Sequence, residues 1–134
     1  MVNILVVEDD LNTLSGLQEL LNCEGFRAFG VASGARAMEI LRSEPIDLLL
    51  CDFCLPDMDG IQVCETIKAR QPEMPIVLVT AFCSPEVEQK ASEIGIDKIF
   101  KKPIDLEELL GALNALSNRD SNQAPVRISG VGAK

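Results

Sequence analysis

Five times along this chain a short apolar run is followed, after a few turn residues, by a stretch whose apolar side chains recur every three or four positions. That alternation leaves few folds. Parallel strands need a crossover between them, and a helix that packs back onto the sheet makes the crossover right-handed. The runs are Asn3–Val7, Arg27–Val31, residues 48–51, Ile76–Thr80 and Lys98–Lys101. The expected architecture is α/β: a doubly wound five-stranded parallel sheet, five helices on its two faces, and strand order 2-1-3-4-5. In that order the topological switch point lies between the first and third strands, where ligands bind beyond the carboxyl ends of open parallel sheets.

Punctuation residues bound each helix. In the first, Leu11, Leu14, Leu17, Leu20 and Leu21 form the apolar stripe, Asn12 is a candidate cap and Gly25 the stop. Ser33 and Gly34 open the second, with Ala35, Met38 and Leu41 on one face and an end before Pro45. Asp59 caps the third, with Gly60 in its first turn and Ile61, Cys64 and Ile67 as its stripe; it closes at Gln71 and Pro72. Ser84 caps the fourth, Pro85 takes its first turn and Gly95 stops it. Asp105 and Glu108 make an acidic variant of the capping box for the fifth, whose stripe is Leu106, Leu109, Leu110, Leu113 and Leu116. From residue 118 the composition turns to Arg, Asp, Ser, Asn, Gln, Pro and Gly without a period, so the expected division is one domain over 1–118 and a flexible tail or linker over 119–134.

Composition removes several function classes. The net charge of -9, from 12 basic and 21 acidic residues, repels nucleic acid, and no tryptophan or tyrosine offers a stacking platform for bases. No direct nucleic-acid partner is expected. No apolar run approaches the roughly 20 residues that span a bilayer, and nothing at the start reads as a secretory leader, so the expected location is the cytoplasm. Five cysteines without a framework spacing suit free thiols. With no histidine, chemistry falls to carboxylates, lysine and hydroxyls.

Such groups gather at the strand ends. Asp52 ends the apolar run of the third strand, Glu8 and Asp9 follow the first, Thr80 ends the fourth and Lys102 follows the fifth. Converging carboxylates repel one another unless a cation neutralises them, and a hard divalent ion such as Mg²⁺ takes oxygen ligands in open sites of this kind. A carboxylate nucleophile, a metal, a lysine and a hydroxyl are the parts that stabilise charge on a transferring phosphoryl group. Each also has a plainer reading: Glu8 and Asp9 favour the start of a helix, Lys102 is a solvated lysine and Thr80 a strand former.

The segments ILVVEDD, LLLCDFCLPDMDG, PIVLVTA and KKP, in this order and spacing, resemble the receiver domain of two-component response regulators, a flavodoxin-like fold, over residues 2–117. The resemblance implies that Asp52 is the phosphoacceptor, that Asp9 and Asp52 bind Mg²⁺ directly, that the Cys54 backbone carbonyl completes the protein ligands, and that Glu8 acts through water. It implies that Thr80 bonds a phosphoryl oxygen and that Lys102 pairs with the phosphoryl group. The implied donor is a histidine kinase, a phosphotransfer protein or a small acyl phosphate. The implied output is a protein target, an attached output domain or a second copy of the chain, met through the fourth helix, fifth strand and fifth helix. Such a domain assists its own aspartyl phosphorylation and dephosphorylation rather than turning over a separate substrate. Asp10, Asp57 and Asp59 receive no role as metal ligands, and Pro56 shapes the loop.

Three positions depart from the family pattern. Ile99 stands where a switch aromatic is common, and because side chains alternate along a strand, Phe100 faces the other way and does not replace it. Cys54 and Phe82 occupy the positions that tune phosphoryl lifetime; neither orients water by strong hydrogen bonds, and Phe82 is expected to shield the site, so slow self-dephosphorylation is expected. Rival readings are a redox pair of Cys51 and Cys54 and a phosphohydrolase of the haloacid dehalogenase type. The first lacks a helix start to stabilise a thiolate, and the second lacks its second acid, since Cys54 stands there. A further alternative is a regulatory module belonging to a larger regulator, such as a transcription factor.

Overall fold

The computed structural model describes residues 1–117, so the expectation for 119–134 lies outside the described residues. Ten elements alternate: β1 (Asn3–Val7), α1 (Leu11–Cys23), β2 (Arg27–Val31), α2 (Gly34–Ser43), β3 (Leu48–Asp52), α3 (Gly60–Arg70), β4 (Ile76–Thr80), α4 (Pro85–Ile94), β5 (Lys98–Lys101) and α5 (Leu106–Ser117). The five strands are parallel, as the alternation implies, and lie in the expected order β2-β1-β3-β4-β5.

Strand alternation splits the core into two layers. Leu5, Val7, Leu49, Cys51, Ile76 and Leu78 face α2 and α3, meeting Ala37, Ile61, Cys64 and Ile67, with Val87 and Ile94 of α4 packed against the same layer. Ile4, Val6, Leu48, Leu50, Val77 and Val79 face the other way, onto Leu14, Leu17 and Leu21 of α1 and Leu109 and Leu113 of α5. β3 and β4 are buried along their whole length. Each fully buried Leu or Ile contributes about 1.5–3 kcal/mol relative to exposure, so these central strands anchor the carboxyl ends that carry the polar groups. Ile99 and Phe100 do part company, Ile99 packing on the first layer and Phe100 buried in the second.

The expected stops and caps hold at α2, α3 and α4. Ser33 and Ser84 accept from Arg36 N and Val87 N, Asp59 and Gln62 form a capping box, and Gly25 and Gly95 adopt positive φ. Asp105 caps α5 by accepting from Glu107 N and Glu108 N. At α1 the expectation fails: Asp10, not Asn12, is the N-cap, because the chain is already helical at Leu11. The Asp10 carboxylate accepts from Thr13 Oγ1 at 2.6 Å instead of from a backbone N–H. The stripes also shift slightly. Leu11 and Leu106, each the first residue of its helix, are exposed, and in α2 the buried alanine is Ala37 rather than Ala35.

Candidate functional site

Register places the polar strand ends side by side. Val7 pairs with both Val31 and Cys51, Asp52 with Val79, and Thr80 with Lys101, so Glu8, Asp52, Thr80 and Lys102 all arrive at one edge of the sheet. Backbone bonds carry the alignment one residue further: Glu8 N donates to Val31 O at 3.0 Å, Phe53 N to Val79 O at 2.8 Å and Lys102 N to Thr80 O at 2.8 Å. The crevice is therefore built on hydrogen-bonded strand ends, two of them on strands buried along their whole length.

Glu8 and Asp52 are buried there, 4% and 5% exposed, while Asp9 stands at the surface. Oxygens of Glu8, Asp9 and Asp52 lie within 4.8 Å of one another. Lys102 answers two of the three carboxylates: its Nζ is 3.0 Å from Asp52 Oδ2 and 3.5 Å from Glu8 Oε1. Glu8 Oε2 also accepts from Asp10 N at 2.9 Å. Burial pushes the Glu8 carboxyl above its ordinary range; the Asp10 N–H and Lys102 pull it back, and the Asp52 charge adds to the rise. Burial works against the Lys102 charge, yet the hydrogen bond and charge of Asp52, followed by those of Glu8, carry its pKa above the usual lysine value. One ammonium against three carboxylates leaves excess negative charge, and an all-oxygen donor set at one open face fits a hard divalent cation.

Cys54 meets Asp52 through its backbone N–H. Its N–H faces Asp52 Oδ1 at 3.4 Å, which sets this stretch of backbone beside the carboxylate, while its thiol is exposed. Cys51, by contrast, is fully buried, and its thiol donates to the Asp52 carbonyl at 3.3 Å. A hydrogen bond between the Cys51 thiol and Cys64, with burial, favours the protonated form and pushes the Cys51 thiol well above its ordinary range, so neither reactivity nor exposure favours a Cys51–Cys54 redox pair. All five cysteines are free.

Thr80 is 1% exposed, and its hydroxyl is engaged with its own loop. Oγ1 donates to Phe82 O at 2.8 Å and accepts from Phe82 N at 3.0 Å. The Phe82 side chain is 76% exposed, so it stands in solvent and does not cover the carboxylates as expected. Asp57, expected to be no metal ligand, has a carboxylate that accepts from Gly34 N at 2.9 Å and Ala35 N at 3.0 Å. No periodic signal marks it, because its partners belong to a helix 23 residues upstream.

Comparison with known proteins agrees with this geometry. Residues 4–114 match the response regulator receiver domain. The chain is 39% identical over 119 residues to a cyclic di-GMP phosphodiesterase of Thermotoga maritima, covering 88% of this chain but 32% of that protein. It is 32% identical over 119 residues to sporulation initiation phosphotransferase F of Bacillus subtilis, covering 89% of this chain and 96% of that one. Among solved structures, the response regulator receiver domain protein (CheY-like) of Methanospirillum hungatei superposes with a TM-score of 0.87 at 26% identity, over 90% of this chain and 97% of that one. Five parallel strands in this order, a buried aspartate at the end of the third, and a family match over most of the length lead to one assignment: the chain belongs to the receiver domain family of two-component response regulators.

Proposed function

We propose that Asp52 accepts a phosphoryl group and that the chain is a phosphoacceptor switch rather than an enzyme with a separate substrate. Asp52 Oδ attacks phosphorus in line, the bond from phosphorus to the donor breaks, and an acyl phosphate forms on Asp52. The donor is the phosphohistidine of a histidine kinase or phosphotransfer protein, or a small acyl phosphate. Asp9, Asp52 and the Cys54 carbonyl would hold Mg²⁺, with Glu8 acting through water, and the ion would supply charge neutralisation for the phosphoryl oxygens. Lys102, 3.0 Å from Asp52 Oδ2, follows the charge from the carboxylate to the phosphoryl group in this reading, and Thr80 donates to a phosphoryl oxygen once its hydroxyl turns from Phe82 O. Phosphorylation then shifts a pre-existing equilibrium at the face made by α4, β5 and α5, where a protein target, an attached output domain or a second copy binds. Residues 1–118 are the unit that acts, in the cytoplasm. Among the described residues no helix is long and apolar enough to cross a membrane.

The observation that carries this reading is the buried Asp52 carboxylate, paired with Lys102 at 3.0 Å and flanked by two further carboxylates. Incubation with an acyl phosphate and Mg²⁺, followed by mass analysis, tests it: a phosphoryl adduct is expected on the wild type and not on Asp52→Asn. Adduct formation that survives Asp52→Asn overturns the assignment. A second setting is favoured by the 32% coverage of the Thermotoga protein, in which the same chemistry serves as the regulatory module of a larger regulator.

A further inference from the structure

The segment between Asp52 and α3 is closed upon itself. Gly60 N donates to Phe53 O at 2.6 Å, and Cys54 and Asp59 form an antiparallel bridge across it. At its outer bend the segment is also fastened to another unit of the fold. Asp57 Oδ1 accepts from Gly34 N and Oδ2 from Ala35 N, two N–H groups in the first turn of α2 that have no acceptor within their helix. Ser33 Oγ takes the N–H of Arg36, so the two caps divide the helix start between them. Met58, the next residue, lies over Gly34, where an added Cβ would come within 2.6 Å of Met58 Sδ.

We propose that Asp57 is a positioning residue for the Mg²⁺ site: its double hydrogen bond to α2 fixes the bend of the 53–59 loop and so holds the Cys54 carbonyl where the ion needs it. The inference rests on the proposed function for the presence of that ion. A carboxylate suits the position because each of its two oxygens meets one N–H, and both bonds are charge-assisted at the positive end of a helix. Those same two bonds hold the Asp57 carboxyl below the usual range, so both oxygens accept at neutral pH. Asparagine offers one acceptor and turns an amide donor toward the second N–H. Alanine offers none, and the loop then keeps only the Met58 contact with α2 and loses its hydrogen bonds, while Asp52, Asp9 and Lys102 stay on their strand ends. Linkage makes the effect reciprocal: an ion that orders the loop also steadies the first turn of α2.

Mg²⁺ alone, titrated calorimetrically into wild type, Asp57→Ala and Asp57→Asn, tests the proposal, with amide exchange at Gly34 and Ala35 followed with and without the ion. The expected result is a loss of about five-fold or more in Mg²⁺ affinity for Asp57→Ala, a smaller loss for Asp57→Asn, and slower exchange at both amides when wild type binds the ion. Phosphoryl acceptance by the alanine variant should recover toward wild type at saturating Mg²⁺. Wild-type affinity in a folded Asp57→Ala protein, even one with a lowered melting temperature, overturns the proposal and leaves the proposed function standing. Should the alanine variant not fold, wild-type affinity in Asp57→Asn has the same force. A wild type that binds no Mg²⁺ overturns both.

Discussion

Lys102 holds its ammonium nitrogen 3.0 Å from Asp52 Oδ2, across fifty residues of sequence and two strand boundaries. Removing it leaves two buried carboxylates facing each other. Lys102→Met is expected to lower the stability of the metal-free protein by about 1–2 kcal/mol, less than for a fully buried pair because the lysine side chain is one-third exposed. It should also slow phosphoryl acceptance on the order of 10²-fold, as the loss of one preorganised charge does elsewhere. Denaturant unfolding and acyl phosphate kinetics read the two effects separately.

The buried Glu8 carboxyl has a raised pKa, with a definite sign for stability. Between the ordinary value of 4.5 and the raised one, the folded chain binds more protons than the unfolded chain, so this group lowers stability as pH rises through that window. Glu8→Gln should therefore flatten the fall in melting temperature of the metal-free protein as pH rises above 4.5.

Asp57 has the opposite sign. Its lowered pKa means that its contribution is complete above the ordinary 3.8 and is lost as pH falls through the folded value. The melting temperatures of wild type and Asp57→Ala should differ at pH 6 and converge under strong acid; a constant gap would contradict the capping account.

Gly60 lies against the strand end it follows. A Cβ there would press on the Asp52 carbonyl oxygen and come within 2.8 Å of Phe53 Cα, both backbone atoms with nowhere cheap to go. Gly60→Ala is expected to cost about 1–3 kcal/mol, the range for overpacking, and to reduce phosphoryl acceptance by displacing Asp52 itself. Unfolding by urea measures the first.

The thiols offer a direct check on burial. Under native conditions a thiol reagent should label Cys23, Cys54 and Cys83 quickly, and reach Cys51 and Cys64 only as the protein unfolds. Fast native labelling of Cys51 would reopen the redox reading.

Thr80 joins input to output in this scheme. With Ile99 in place of an aromatic, the signal is expected to depend on the hydroxyl leaving Phe82 O, and the Phe82 amide resonance should shift on phosphorylation. Thr80→Ala should abolish that response and weaken phosphorylation-dependent partner binding; unchanged binding would remove Thr80 from the route.

Most of the fold was legible because local signals agreed with the global one. Each strand is a short apolar run with turn residues at its ends, and Ser33, Asp59, Ser84, Gly25 and Gly95 each act within a few residues of themselves. Parallel crossovers then forced Glu8, Asp52, Thr80 and Lys102 to a common edge. What escaped was non-local or finely angular. Asn12 and Asp10 are both good caps, and only the dihedral at which the chain turns helical separates them. Asp57 looks like any turn aspartate until its two N–H donors are found in the first turn of α2, and the outward turn of Phe82 follows no periodicity.

α5 begins just after Lys102 and runs back against the strands for twelve residues, about 18 Å, ending at Ser117. Ser117 lines a cleft with Met1, Val2, Asp47 and Pro75, at the amino ends of the strands. The two ends of α5 thus lie at opposite poles of the sheet. If Asp52 is the input, a response at the Ser117 pole has the whole length of α5 to cross, whereas a partner seated on α4, β5 and α5 would meet it on the flank between the poles.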